Sequence, residues 1–209
     1  MRSAAILAGG RATRFGGRDK SALVVEGRSI LERQVAELSA VADDIMIVGA
    51  TTDVGRRLEI DLTRRLRPGV SVRAIADLVP GCGPLGGLHA ALTAMRGDRV
   101  FVVACDMPYV DGALADFLLS LAGDVAIVVP ETDRGYHPLC AVYARACLEP
   151  VAARLATRRL VLRELFRDVP TRVVTAEEMS RFGAPTRLLA NVNTPAEYAH
   201  IEALQGHKL

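Results

Sequence analysis

Two Gly-Gly pairs, Gly9-Gly10 and Gly16-Gly17, sit in the stretch 7-LAGGRATRFGGRDKSAL-23, with Arg14 and Lys20 among them. Glycine costs conformational entropy when ordered, so a cluster after an apolar run implies a sharp bend or a close approach to a ligand. Consecutive glycine amides can form a concave nest for phosphate oxygens, and nearby cations add charge. Anion binding is thus the chemistry suggested, against the structural alternative of a glycine-rich turn. Lys20 strengthens it. The 26 basic residues include only two lysines, Lys20 and Lys208. A compact ammonium approaches phosphate as a point charge where a planar guanidinium is bulkier. The spacing matches neither the P-loop nor the G-x-G-x-x-G dinucleotide pattern.

A second candidate is 104-ACDMPY-109, directly after a strongly apolar run. A carboxylate there, Asp106, suits Mg²⁺ facing the phosphates; the alternative is an N-cap for the next helix. Asp77 and the glycine-rich 81-GCGPLGG-87 read as a third loop on the same edge, where Gly would let backbone approach a base or ribose. His137, before Pro138, reads as a structural or substrate-positioning residue and not a general base. Arg158, Arg159 and Arg163 divide evenly between a solvated helix face and a phosphate site. Cys82, Cys105, Cys140 and Cys147 form no C-x-x-C pair and read as reduced thiols of a cytoplasmic protein.

These residues need elements to hold them. Apolar runs suited to buried strands recur at 4–8, 44–49, 70–76, 99–105 and 124–129, alternating with helical periodicity at 29–42, 87–95 and 113–122. Further along, 138–143 and 171–175 read as strands and 144–156 as a helix. The segment 193–204 opens with Asn-Thr-Pro, a helix start, and 56–67 reads as a solvated face of mixed charge. Strands alternating with helices imply a mostly parallel sheet covered on both faces. In such sheets ligands bind at the carboxyl ends of the strands, near the switch in strand order.

Composition excludes several classes. A formal net charge of +2 over 209 residues argues against binding nucleic acid by phosphate neutralisation. No apolar stretch approaches the ~20 residues needed to span a bilayer, and the short apolar run at the start reads as a buried strand, not a signal peptide. One domain is expected, residues 1–209.

In chain order, LAGG-x-x-x-R-x-G-G-x-D-K at 7–20, Asp77 with GPLGG at 83–87, CDMPY at 105–109, HPL at 137–139 and NVNTP at 191–195 resemble the molybdenum cofactor guanylyltransferase family of nucleotidyltransferases. Five ordered motifs across residues 4–204 carry the resemblance. It implies an α/β fold of three Rossmann-like layers, with an N-terminal half that binds nucleotide and a C-terminal half that binds molybdopterin. It also implies Mg²⁺-dependent transfer of GMP from GTP to molybdopterin, or its molybdenum-loaded form, with release of pyrophosphate. The product would pass to molybdoenzyme apoproteins or their chaperones. By the same resemblance, Leu7, Ala8, Gly9 and Gly10 would hug the guanine and ribose, and Arg14 and Lys20 would hold the triphosphate. Asp77 would contact the nucleoside, Asp106 would bind Mg²⁺, and Asn191 and Asn193 would reach the pterin side. The family commonly has a nucleotide-contacting Asn after the second strand; this chain reads IVGATT at 47–52, so that contact is left unassigned. The rival readings are a cytidylyltransferase for the same cofactor, a sugar-phosphate nucleotidyltransferase, and a non-catalytic module that binds nucleotide or cofactor.

Overall fold

The run AAIL folds as β1 (Ser3–Leu7), every residue of which is buried. An unbroken apolar run of this kind suits a central strand covered on both faces. The computed structural model describes residues 1–8, 23–49, 61–63 and 66–192. After β1 come the small hairpin β2 (Val24–Val25) and β3 (Arg28–Ser29), then α1 (Ile30–Ser39). Ser29 starts α1 through a capping box: its side chain accepts from the Glu32 amide, and the Glu32 carboxylate accepts from the Ser29 amide. There follow β4 (Asp44–Val48), β5 (Ser71–Ile75), α2 (Gly83–Ala94), β6 (Arg99–Ala104), α3 (Gly112–Ser120) and β7 (Ile127–Thr132). The last main elements are β8 (Gly135–Tyr136), β9 (Cys140–Ala144), α4 (Leu148–Ala156) and β10 (Thr171–Val174).

The strands form one sheet in the order β10-β7-β9-β6-β1-β4-β5, with β8 on β7. β1 pairs parallel with β4 and β6, β4 with β5, and β7 with β10. β9 runs antiparallel between β6 and β7. Successive side chains of a strand point to opposite faces, and β1 divides its residues accordingly. Ala4 and Ile6 join a core with Leu31, Val35, Leu38, Leu114 and Leu118; Ala5 and Leu7 join another with Leu85, Leu88, Leu92 and Val151. Helices α1 and α3 therefore cover one face and α2 and α4 the other. This is the three-layer, mostly parallel α/β sandwich that the sequence implied.

Some boundaries differ. The strand expected at 124–129 begins at Ile127, because the Val125 amide closes a turn onto the Ala122 carbonyl (3.1 Å). The helix expected at 144–156 begins at Leu148, after a 3₁₀ turn over Arg145–Cys147. The helix expected at 87–95 begins at Gly83, so GPLGG is helical and not a loop. Within 56–67, Leu62 is buried in the core while exposed Arg67 pairs with Asp43. The helix expected at 193–204 lies outside the described residues.

From β1 the chain builds outward through β4 to β5, then crosses back to β6 on the other side of β1. The order reverses between β1 and β6, so the crevice outside their carboxyl ends is where this architecture takes a ligand.

At the opposite end of β4, Asp44 is fully buried and accepts from Arg73 Nε (2.8 Å) and Nη2 (2.9 Å) and from Ser3 Oγ (3.0 Å). Burial alone would raise its carboxyl, but Arg73, Ser3 and the Arg96 amide outweigh burial and hold it below its ordinary value. A depressed folded-state pKa means stability present above the unfolded value of about 3.9 and lost as pH falls through the folded one. Asp44→Asn is expected to cost about 3–5 kcal/mol at neutral pH, since it strips the charge from a buried pair. Urea unfolding should show the gap to the parent narrowing below about pH 4.

Candidate active site

The loop 9–22, with Gly9, Gly10, Arg14 and Lys20, lies outside the described residues, but its two ends do not. At its start, the Ala8 amide donates to the Val48 carbonyl (2.8 Å) and the Leu7 carbonyl accepts from Cys105 (3.1 Å). Leu7 is buried beneath α2, its methyls 3.3 Å from where a Cβ on Gly87 would stand. It anchors the loop. At the far end, the Leu23 carbonyl accepts from the Ile30 amide (2.8 Å), which ties the exit to the first residue of α1.

Asp106 lies in the turn after β6, at the switch in strand order. The cap alternative fails, because α3 is capped by Asp111, whose side chain accepts from the Leu114 amide (2.8 Å). Asn191 arrives at the same place from 85 residues away: the Val192 amide donates to the Asp106 carbonyl at 2.8 Å. Val192 is fully buried with Val25 and Ile30, and Leu23 and Tyr109 pack against them. That small cluster clamps together the glycine-loop exit, the CDMPY turn and the first half of NVNTP. Asn191 itself is exposed; Asn193 lies outside the described residues.

The HPL motif reaches this edge because β9 is antiparallel to β6, with the Leu139 carbonyl accepting from the Ala104 amide (3.0 Å). His137 Nε2 lies 2.9 Å from Thr132 Oγ1. Burial, with the positive charge of Arg134, lowers its pKa, Asp133 opposing. The Thr132 contact holds the imidazole in place, which leaves both the structural and the substrate-positioning readings open.

Asp77 follows β5 and accepts from the Val79 amide (3.2 Å). The glycines behind it serve packing. A Cβ on Gly86 would stand 3.1 Å from the Val79 carbonyl and 3.3 Å from Asp77 Oδ1, so Gly at this point lets α2 press against the Asp77 turn. Gly81 and Gly83 take positive φ (79° and 59°), a conformation that favours Gly, and turn the chain into α2 with Pro84 in its first turn. Of the arginines, Arg158 approaches Cys82 Sγ (3.9 Å) and Arg159 approaches Glu164 (3.9 Å); Arg163 is exposed.

Among the described residues no three His, Cys, Asp or Glu side chains gather as a metal cage. One carboxylate at the crevice fits Mg²⁺, which keeps several waters and is bound through one or two carboxylates plus substrate phosphates.

A family model described as the MobA-like NTP transferase domain matches residues 4–202. The chain belongs to the MobA-like NTP transferase family. Among MobA-like relatives, a molybdenum cofactor guanylyltransferase of Desulfosudis oleivorans is 31% identical over 95% of this chain and 93% of its own length. A probable molybdenum cofactor guanylyltransferase of Methanosarcina acetivorans is 34% identical over 92% and 86% respectively. In fold, the chain is similar to molybdopterin-guanine dinucleotide biosynthesis protein A of Archaeoglobus fulgidus (TM-score 0.80, 22% identity, 98% of both chains). It is also similar to 4-diphosphocytidyl-2C-methyl-D-erythritol synthase of Anaerococcus prevotii (TM-score 0.73, 16% identity, 98% and 96%). The last two likenesses speak to the fold alone. Membership makes the protein a nucleotidyltransferase.

The sequence missed two residues that bind the backbone of the turn carrying Asp106: Val192, and Gln34, whose Nε2 donates to the Ala104 and Met107 carbonyls. Gln34 is a polar residue on an otherwise apolar helix face, and Val192 stands between two asparagines, so neither carries a sequence signal of its own.

Proposed function

We propose that the protein transfers GMP from GTP to molybdopterin, or to its molybdenum-loaded form, and releases pyrophosphate. One observation carries this reading: Asp106, Asn191 and both ends of the glycine loop meet at the β1/β6 switch, in a chain 31% identical to a molybdenum cofactor guanylyltransferase over 95% of its length. Ala8, Gly9 and Gly10 cradle the guanine and ribose at the end of β1, with Leu7 as their buried anchor. Arg14 and Lys20 hold the triphosphate, and Asp77 contacts the nucleoside from the end of β5. Asn191 and Asn193 turn toward the pterin. The N-terminal half of the single domain serves the nucleotide and the C-terminal half the molybdopterin. The terminal phosphate of molybdopterin is already an anionic nucleophile, so its oxygen attacks the α-phosphorus of GTP without a general base, and the bond to the β-phosphate oxygen breaks in line. Positioning and charge stabilisation are what such transfer asks of a protein. Asp106 would hold Mg²⁺, which would neutralise the charge that develops on the phosphates. The reading makes it a cytoplasmic enzyme that hands its product to molybdoenzyme apoproteins or their chaperones; no described helix is long and apolar enough to cross a membrane.

Incubation with molybdopterin, Mg²⁺ and each nucleoside triphosphate tests the reading. GTP is expected to exceed CTP and ATP at least about a hundredfold in kcat/KM, the worth of one or two hydrogen bonds to the guanine edge. Gly9→Ala, which adds a methyl where the base sits, should lower GTP use and narrow the ratio. A CTP preference makes the enzyme a cytidylyltransferase; transfer to a sugar phosphate but not molybdopterin changes the acceptor. Nucleotide binding without pyrophosphate release leaves a binding module.

A further inference from the structure

Ala104, Cys105, Asp106 and Met107 form a tight turn after β6, closed by the Met107 amide on the Ala104 carbonyl (3.2 Å). Behind it stands Gln34, fully buried on the side of α1 that otherwise presents Ile30, Leu31, Val35 and Leu38. Its Nε2 donates to the Ala104 carbonyl at 2.7 Å and to the Met107 carbonyl at 2.9 Å. Both hydrogens of one amide therefore bridge the two ends of the turn that carries Asp106. The neighbouring carbonyls are held as well, Asp106 by the Val192 amide (2.8 Å) and Pro108 by Arg33 Nε (3.3 Å). Gln34 Oε1, in contrast, is buried with no hydrogen-bond partner among the described residues. An apolar side chain of similar size would avoid that unmet acceptor, so packing alone does not account for glutamine at this position.

We propose that Gln34 is a positioning residue for nucleotidyl transfer: it staples the turn so that Asp106 stands where a divalent cation joins the nucleotide phosphates. The inference rests on the reading of Asp106 as the metal ligand. Mg²⁺ demands near-ideal octahedral geometry, and a ligand held even 1 Å loosely loses much of its worth. Gln34 touches neither substrate nor metal; it acts through the backbone of residues 104–107.

The test is Mn²⁺ binding to the full chain, read by electron paramagnetic resonance with a non-hydrolysable GTP analogue present. The proteins compared are the parent, Gln34→Met and Asp106→Asn, with thermal unfolding and metal-free binding of the analogue measured alongside. Gln34→Met keeps the volume and removes both donors. It is expected to weaken Mn²⁺ binding about tenfold, while metal-free affinity for the analogue stays within about twofold. Should Gln34→Met fail to fold, Gln34→Glu, of the same size and without the two donors, is read by the same criterion. Parent-like Mn²⁺ affinity in the Gln34 variant, whatever its unfolding temperature, with Asp106→Asn impaired, overturns the proposal and leaves the metal reading standing. Parent-like affinity in Asp106→Asn overturns the metal reading itself, and the proposal with it.

Discussion

Asp106→Asn is expected to lower kcat for pyrophosphate release by roughly 10²–10³-fold, with a folded protein and a modest change in nucleotide affinity. The amide keeps the shape and one acceptor oxygen but loses the negative charge that a hard cation prefers. A bound metal contributes several kcal/mol of charge stabilisation in the transition state; losing about 3–4 kcal/mol gives that factor at about 1.36 kcal/mol per tenfold. The fold should survive because the turn is held through backbone, by Gln34 at Ala104 and Met107 and by Val192 at Asp106 itself. None of those bonds uses the Asp106 carboxylate. The measurement is a Mg²⁺ titration of the rate for variant and parent. Superimposable activation curves would show that Asp106 does not hold the metal.

The sheet was legible because a strand buried on both faces must be largely apolar, and β1, β4 and β6 are apolar after their first residues, Ser3, Asp44 and Arg99. Ends were less so. Nothing in the apolar run 124–129 marks the turn that delays β7 to Ile127; that turn depends on the Ala122 carbonyl at the end of the preceding helix segment. GPLGG looked like a loop since Gly and Pro disfavour helix interiors, yet Pro84 sits in the first turn, where its missing N–H costs nothing. Gly86 and Gly87 are there for close packing against the Asp77 turn and Leu7. Asp106 was singled out by residue type and by its place after an apolar run, and it does lie in the turn after β6. Of the two readings of Asp106, the helix cap was removed by Asp111 five residues on, which caps α3 itself. The hydrogen bonds that hold its turn, Gln34 to Met107 and Val192 to Asp106, join residues 73 and 86 apart in sequence. Such pairings carry no local pattern. They follow from which loops the strand order gathers at one edge.

Lys20→Ala should cripple turnover while leaving stability nearly unchanged. Lys20 is one of only two lysines among 26 basic residues, and it stands two glycine pairs into the loop that opens after β1. The residues that flank it are held at the switch point, Ala8 on Val48 and Leu23 on Ile30. An ammonium on this loop would meet phosphate as a point charge, and substitutions on loops away from core contacts usually move stability by no more than about 0.5 kcal/mol. The loss of one charge-assisted contact in the transition state is worth about 2–4 kcal/mol, roughly thirty- to a thousandfold in kcat/KM. Lys20→Arg should restore only part of it, since the planar fork cannot occupy the place of a compact ammonium. The split between constants is informative: a contact made equally with bound GTP and with the transition state would appear in KM alone, whereas one that strengthens as charge moves to the leaving pyrophosphate lowers kcat. Steady-state rates with GTP and molybdopterin for the three proteins, with thermal unfolding as the control, measure this directly. Near-parental kcat/KM in Lys20→Ala would remove Lys20 from the triphosphate site and leave Arg14 as the cation to test next.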